Sequence, residues 1–271
     1  MKNTSGFVEF MYGTCIGRCV LKVIMKLRLD KIAVSFLRSP LSKCMIGWYA
    51  KRNNIPLSDE EKDSFATYRD FFVRTRISEP VDTESTHLIS PCDGYLSAYK
   101  IDDNSRFHIK SSHYMIKDFL NDEELAKNYR NGACLIFRLC PSDYHHYCFI
   151  DNGYQGKNAL IPGVLHSVQP IACERFPVYV LNKRSWCLLS TENFGPVVQC
   201  EIGALVVGGI FNEKENAPFE KGQEKGHFEL AGSTIVLLFE ADKIKLKEKF
   251  STAFSGEEVR VLHGEWIGNK V

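Results

Sequence analysis

The sequence is poor in several things, and each shortage excludes a class of protein. It lacks a charge imbalance: 34 Lys and Arg stand against 33 Asp and Glu in 271 residues. A general polyanion surface is therefore not expected, and no nucleic acid is expected as a partner. It lacks a spanning helix, which needs roughly 20 mostly uncharged residues, because Lys22, Lys26, Arg28 and Lys31 interrupt the most apolar amino-terminal stretch. The same lysines break any signal-peptide core, and no small-residue cleavage site follows. Its ten cysteines (Cys15, Cys19, Cys44, Cys92, Cys134, Cys140, Cys148, Cys173, Cys187 and Cys200) show no C-x-x-C pair and no regular spacing. They read as buried thiols of a cytoplasmic protein and not as a secreted disulfide framework. His145 and His146 are adjacent, yet no carboxylate or cysteine cluster completes a recognisable ligand spacing, so no metal is expected. There is no internal repeat, low-complexity tract or linker.

What is present is 44% hydrophobic residues, enough for one sizeable core, and a lopsided distribution of charge. Residues 1–52 hold ten basic side chains and only two acidic ones, Glu9 and Asp30. Between those charges lie Val20, Leu21, Val23, Ile24, Met25, Leu27 and Leu29, with Phe7, Phe10, Tyr12, Trp48 and Tyr49 as scattered aromatics. A basic amphipathic segment of this kind either packs on a domain as an ordinary helix or lies on an anionic bilayer.

Ser58 and Glu61 make a capping-box pattern, and apolar spacing through Phe65, Tyr68 and Phe72 predicts helix. At Ser90-Pro91-Cys92-Asp93-Gly94 the punctuation changes from helix to turn. Residues 114–130 read as one helix or two short ones, ended by Gly132. Beyond that, strands are expected at Cys134–Leu139, Val178–Leu181, Trp186–Leu189, Val197–Val207 and Thr234–Phe239, several apolar on both faces. The fold class is α+β: amino-terminal helices attached to a largely antiparallel, barrel-like β core.

Three short patterns carry chemistry. Lys221-Gly222-Gln223-Glu224-Lys225-Gly226-His227-Phe228 precedes Gly232-Ser233-Thr234, which alone is a turn entering a strand. Arg138-Leu139-Cys140-Pro141-Ser142-Asp143-Tyr144-His145-His146 follows an apolar strand and presents histidines, the side chains best suited to moving protons near neutral pH. Ser90-Pro91-Cys92-Asp93-Gly94 fixes an acidic residue in a turn that, taken alone, reverses the chain.

Together, in this order, these patterns resemble the phosphatidylserine decarboxylases, in the style of the shorter bacterial members. The likeness runs from about Phe65 to Lys245 and includes Phe71-Phe72-Val73-Arg74, Ser90-Pro91 with Asp93-Gly94, and Asp143-Tyr144-His145. It continues through Gly163 with Ser167-Val168 and Pro170, Asn182-Lys183-Arg184, Phe194-Gly195-Pro196, Gly203-Ala204 with Val207-Gly208, Lys221-Gly222 with Glu224 and Gly226, and Gly232-Ser233-Thr234. The resemblance implies a precursor that cuts itself between Gly232 and Ser233, leaving a β chain (1–232) and an α chain (233–271) that stay associated. Ser233 becomes a pyruvoyl group, the covalent cofactor, which forms a Schiff base with phosphatidylserine and accepts electrons as carbon dioxide leaves. Asp93 and His145 are the implied partners of Ser233. The family's second histidine, three residues after the first, is replaced by Cys148, so the proton relay falls to His145, to His146 or to Cys148. By the same resemblance, residues 1–56 form the basic membrane-associating segment and 57–271 the catalytic domain. Peripheral attachment to the cytoplasmic face of the cell membrane is expected, with a phospholipid bilayer and phosphatidylserine as partners and a homodimer as a further association. Two other readings stand beside it: a non-processing lipid-binding relative, motivated by Cys148, and a soluble pyruvoyl decarboxylase of a small amino acid.

Overall fold

The first described residues are helical, as their apolar and basic spacing predicts. The structure, a computed structural model, describes residues 6–27, 29–75, 80–109, 112–204, 209–230 and 233–271. Helices α1 (Gly6–Gly13), α2 (Cys15–Lys26), α3 (Leu29–Leu37), α4 (Met45–Arg52), α5 (Asp59–Ser64) and α6 (Tyr68–Phe72) form the first quarter. Thr14 caps α2 by accepting the Gly17 N–H at 2.9 Å. The Ser58–Glu61 capping box is formed at α5. Contrary to the single helix predicted to Phe72, the chain is extended at Phe65, and a second box, Thr67 with Asp70, starts α6.

Strands β1 (His87–Ile89), β2 (Gly94–Lys100), β3 (Arg106–Ile109) and β4 (Ser112–Met115) lead into α7 (Ile116–Leu120) and α8 (Glu123–Lys127). Then come β5 (Ala133–Leu139), β6 (His146–Cys148), β7 (Gly153–Gln155), β8 (Ala159–Ile161), α9 (Pro170–Cys173) and α10 (Val178–Leu181). The remainder is β9 (Arg184–Thr191), β10 (Gly195–Ile202), β11 (Gly209–Asn212), β12 (Ala217–Phe219), β13 (Glu224–Glu229), β14 (Ser233–Phe239), β15 (Ile244–Leu246), β16 (Val259–Val261) and β17 (Trp266–Lys270). Residues 178–181, expected as strand from their β-branched run, are one helical turn: Pro177 fixes its entry and Asn182 returns to extended backbone. Of the expected strand 197–207, β10 accounts for the part to Ile202, and residues 205–207 lie outside the described residues.

The main sheet is antiparallel, ordered β12-β7-β9-β10-β14-β5-β2-β16, with β8 also pairing β9. The α+β class holds. The barrel-like closure does not: among the described residues the path ends at β12 and β16 without a pairing between them. Layers replace closure. One face buries Leu96, Phe137, Ile235, Leu237 and Phe239 under the small sheets β11-β13-β6 and β1-β17-β15. The other buries Ile136, Cys200, Val236 and Leu238 under α1, α2 and the short helices after β4 and β8. Coverage on both faces explains why all seven residues of β14 are buried and why its sequence, STIVLLF, does not alternate. A third cluster joins α4 and α6 to Leu230, the last described residue before Ser233.

All ten cysteines are free, seven buried and three (Cys15, Cys19, Cys44) exposed. No described helix is long and apolar enough to cross a membrane.

Candidate functional site

Three adjacent strands converge on one end of the main sheet. β14 begins at Ser233, opposite Leu139 at the end of β5. β2 begins at Gly94, and Tyr95 lies opposite Arg138, so Asp93 leaves the sheet at the same end. Gly94 has to be glycine, because a Cβ there would stand 2.7 Å from the Arg138 carbonyl oxygen. Asp93 is buried, and its Oδ1 accepts the His263 N–H at 2.8 Å, which ties the turn to the segment after β16.

The loop after β5 aims the histidine. Asp143 Oδ2 accepts the Cys140 N–H at 2.6 Å, and Oδ1 pairs with the Arg260 guanidinium at 2.8 Å. Burial pushes the Asp143 carboxyl up, and the Cys140 N–H and Arg260 oppose that rise. His145 then turns its Nδ1 to the Asp143 carbonyl oxygen at 2.8 Å and packs its ring 4.3 Å from Phe72. A carbonyl only accepts, so Nδ1 carries the proton and Nε2 is a bare lone pair. Burial lowers the His145 pKa to about 3, partly opposed by the Asp143 contact and the Asp93 charge. The ring is therefore neutral at physiological pH.

Ser233 Oγ and His145 Nε2 are both fully buried, and neither has a hydrogen-bond partner among the described residues. Orphaned polar atoms are costly, and two of them belong to residues singled out in the sequence. The third, Asp93, bears electrostatically on His145. The remaining member of the predicted set, Gly232, lies outside the described residues. The chain approaches it under constraint: Leu230 is buried at φ +66°, left-handed backbone that costs a non-glycine residue about 1–3 kcal/mol. Just before it, Glu229 accepts from Arg38 at 2.6 Å and from Arg69 Nε at 3.0 Å, which anchors the end of β13 to the helical segment.

The other two relay candidates are differently placed. Cys148 Sγ lies 4.0 Å from the Ser90 carbonyl oxygen, and burial pushes its thiol up to about 12, so it keeps its proton. His146 engages both ring nitrogens, Nδ1 with Glu224 Oε1 at 2.6 Å and Nε2 with the Val73 carbonyl at 3.0 Å.

Sequence reasoning missed three features. Arg260 comes from a stretch with no motif. Lys225 and Glu201 form a fully buried ion pair at 2.8 Å, with Asn212 Oδ1 also 2.8 Å from Nζ; nothing in the motif signals that Lys225 points inward. The third is a grouping that the spacing did not signal: the donor atoms of His146, Glu224 and His227 lie within 4.8 Å of one another. The spacing hid it, because a residue inserted in β13 changes which side chains share a face.

Comparison with known proteins fits this geometry. The family model described as phosphatidylserine decarboxylase matches residues 68–269. The phosphatidylserine decarboxylase proenzyme 2 of Clostridium acetobutylicum is 43% identical over 270 residues, covering 97% of this chain and 92% of that protein. The proenzyme of Clostridium botulinum strain Alaska E43 is 36% identical over 281 residues, covering 100% and 95%. That of Clostridium perfringens strain ATCC 13124 is 37% identical over 273 residues, covering 97% and 93%.

Proposed function

Because the chain belongs to the phosphatidylserine decarboxylase family, we propose that it is a carboxy-lyase converting phosphatidylserine to phosphatidylethanolamine and carbon dioxide, with Ser233 as the source of a pyruvoyl group. The observation that carries the assignment of Ser233 is its buried, unpartnered hydroxyl at the head of β14, at the sheet end that also holds Asp93 and the bare Nε2 of His145.

In maturation His145 Nε2 takes the Ser233 hydroxyl proton, and Oγ bonds to the carbonyl carbon of Gly232 as the peptide C–N bond breaks, giving an ester and a free amine. A base then removes the Cα proton as the Cβ–O bond breaks, which forms the Cα=Cβ double bond and releases the Gly232 carboxylate. The residual dehydroalanine takes up water and loses ammonia. Burial works in two directions here: it keeps His145 neutral and ready to accept, but makes it a reluctant base, which the neighbouring Asp93 charge partly corrects. The pyruvoyl group supplies a conjugated carbonyl that accepts the electrons released with carbon dioxide. His145 Nε2, once it has taken a proton from the substrate ammonium group, would return that proton to the substrate carbon.

The α chain, 233–271, cannot easily leave. Its β14 is hydrogen-bonded between β10 and β5, β16 pairs with β2, and β17 lies between β1 and β15. Residues 1–56 provide the membrane contact. Ile16, Val23, Leu27, Ile32, Leu41 and Trp48 are each more than half exposed, along a segment with ten basic side chains. Such a surface suits the anionic cytoplasmic face of a bilayer, where a two-tailed substrate resides.

Denaturing electrophoresis of purified protein tests the reading. The wild type should run as two chains, Ser233→Ala as one inactive chain, and His145→Ala should mature roughly 10²-fold more slowly or worse. Wild-type protein that stays uncut would instead support a lipid-binding relative that does not process. Cleavage without any affinity for liposomes would favour a soluble enzyme of a small amino acid.

A further inference from the structure

One residue beyond His145 lies a second, chemically different cluster that the decarboxylation reading does not use. His146 on β6 stands directly opposite His227 on β13. Glu224 lies three positions before His227, an odd separation that would put the two on opposite faces of a regular strand. The register shifts between Glu224 and Gly226, where Lys225 is the extra residue. That bulge turns Lys225 inward to Glu201 and returns Glu224 to the face of the two histidines.

The donor atoms of the three side chains lie close together. His146 Nε2 is engaged by the Val73 carbonyl at 3.0 Å, which leaves Nδ1 facing Glu224 Oε1. Such a carbonyl contact on the far ring nitrogen is how metal-binding histidines are held in one tautomer. His227 Nδ1 stands 3.9 Å from the same carboxylate oxygen. The imidazoles are held in a column, Tyr144 on His146 at 4.5 Å, His146 on His227 at 4.9 Å and His227 on Phe211 at 4.8 Å. Glu224 is the exposed member, with its side chain 37% accessible, and opens the cluster to solvent.

We propose that His146, Glu224 and His227 form a binding site for a divalent transition ion of the zinc class, through His146 Nδ1, His227 Nδ1 and a Glu224 oxygen, with water in the fourth position. Two imidazoles and a carboxylate are a donor set such ions favour. Tetrahedral ligands about 2.0–2.1 Å from zinc stand about 3.3 Å apart. On binding, the 2.6 Å His146–Glu224 contact would open and the more distant donor pairs would close. The bound ion would clamp β6 to β13 beside the His145 loop.

The test uses the full chain as purified, with Cys15, Cys19 and Cys44 changed to Ser so that the exposed thiols cannot bind. The protein is stripped with chelator, desalted and titrated with Zn²⁺ against a chromogenic chelator, and with Co²⁺ by visible absorption. One equivalent per chain, with tetrahedral cobalt bands, is expected. His227→Phe keeps the ring column and removes a ligand, and Glu224→Gln alters a partly exposed position; each should weaken binding at least about tenfold. Failure of the parent protein to take up one equivalent overturns the proposal, as does retention of parental affinity by a folded His227→Phe or Glu224→Gln protein.

Discussion

The amino-terminal helices and the central strands spend similar apolar residues in opposite ways. In β14 every side chain from Ser233 to Phe239 is buried between neighbouring strands and two covering layers. In α1–α4 an inner set, including Tyr12, Leu21 and Ile46, packs on the cores, while Phe7, Ile16, Val23, Ile32 and Trp48 remain in solvent. The contrast shows that apolar content alone does not reveal what a segment does. Burial in β14 fixes the surroundings of Ser233; exposure in the helices leaves an apolar, cationic surface, the one proposed to meet a bilayer.

The difference can be broken from either side. The largest effect is expected at the head of β14, where Ser233→Ala removes the attacking hydroxyl and should abolish both cleavage and decarboxylation, read by electrophoresis and carbon dioxide release. Further along the same strand, Leu237→Ala at a fully buried position should cost about 2–5 kcal/mol in urea unfolding. Acid should act through His145. With an unfolded value near 6.5 and a folded one of about 3, the unfolded chain binds the proton that the folded chain refuses. This contribution to stability is complete above about pH 6.5 and declines as pH falls toward 3, by up to about 1.4 kcal/mol per pH unit. Unfolding of the uncut Ser233→Ala precursor at pH 7 and pH 5 should show that slope, and His145→Phe should flatten it. The smallest effect on stability, within about 0.5 kcal/mol, is expected for Ile16→Ser with Ile32→Ser on the helices. The same pair should nonetheless weaken sedimentation with anionic vesicles, whereas Leu237→Ala, where folded, should not.

These effects also mark what the chain declares locally and what it hides. The capping box at Ser58 and the two-faced apolar runs of β5, β9 and β14 are legible because they depend on neighbours in sequence. The motifs point to Asp93, His145 and Ser233, and the order β14-β5-β2 brings the strands that carry or flank them to one sheet end. Long-range contacts are not legible: Arg260 on Asp143, the inward turn of Lys225, and the layered rather than closed sheet all arise from pairings between distant segments. Val178–Leu181 misleads because β-branched propensity yields to the proline before it.

The central claim is that backbone cleavage before Ser233 creates the reactive group, and the mass and amino terminus of the short chain test it most directly. The account predicts a fragment of residues 233–271 with a blocked terminus and the mass of a pyruvoyl in place of Ser233. A mature, folded and active protein in which Ser233 is an unmodified residue of one continuous chain would contradict it.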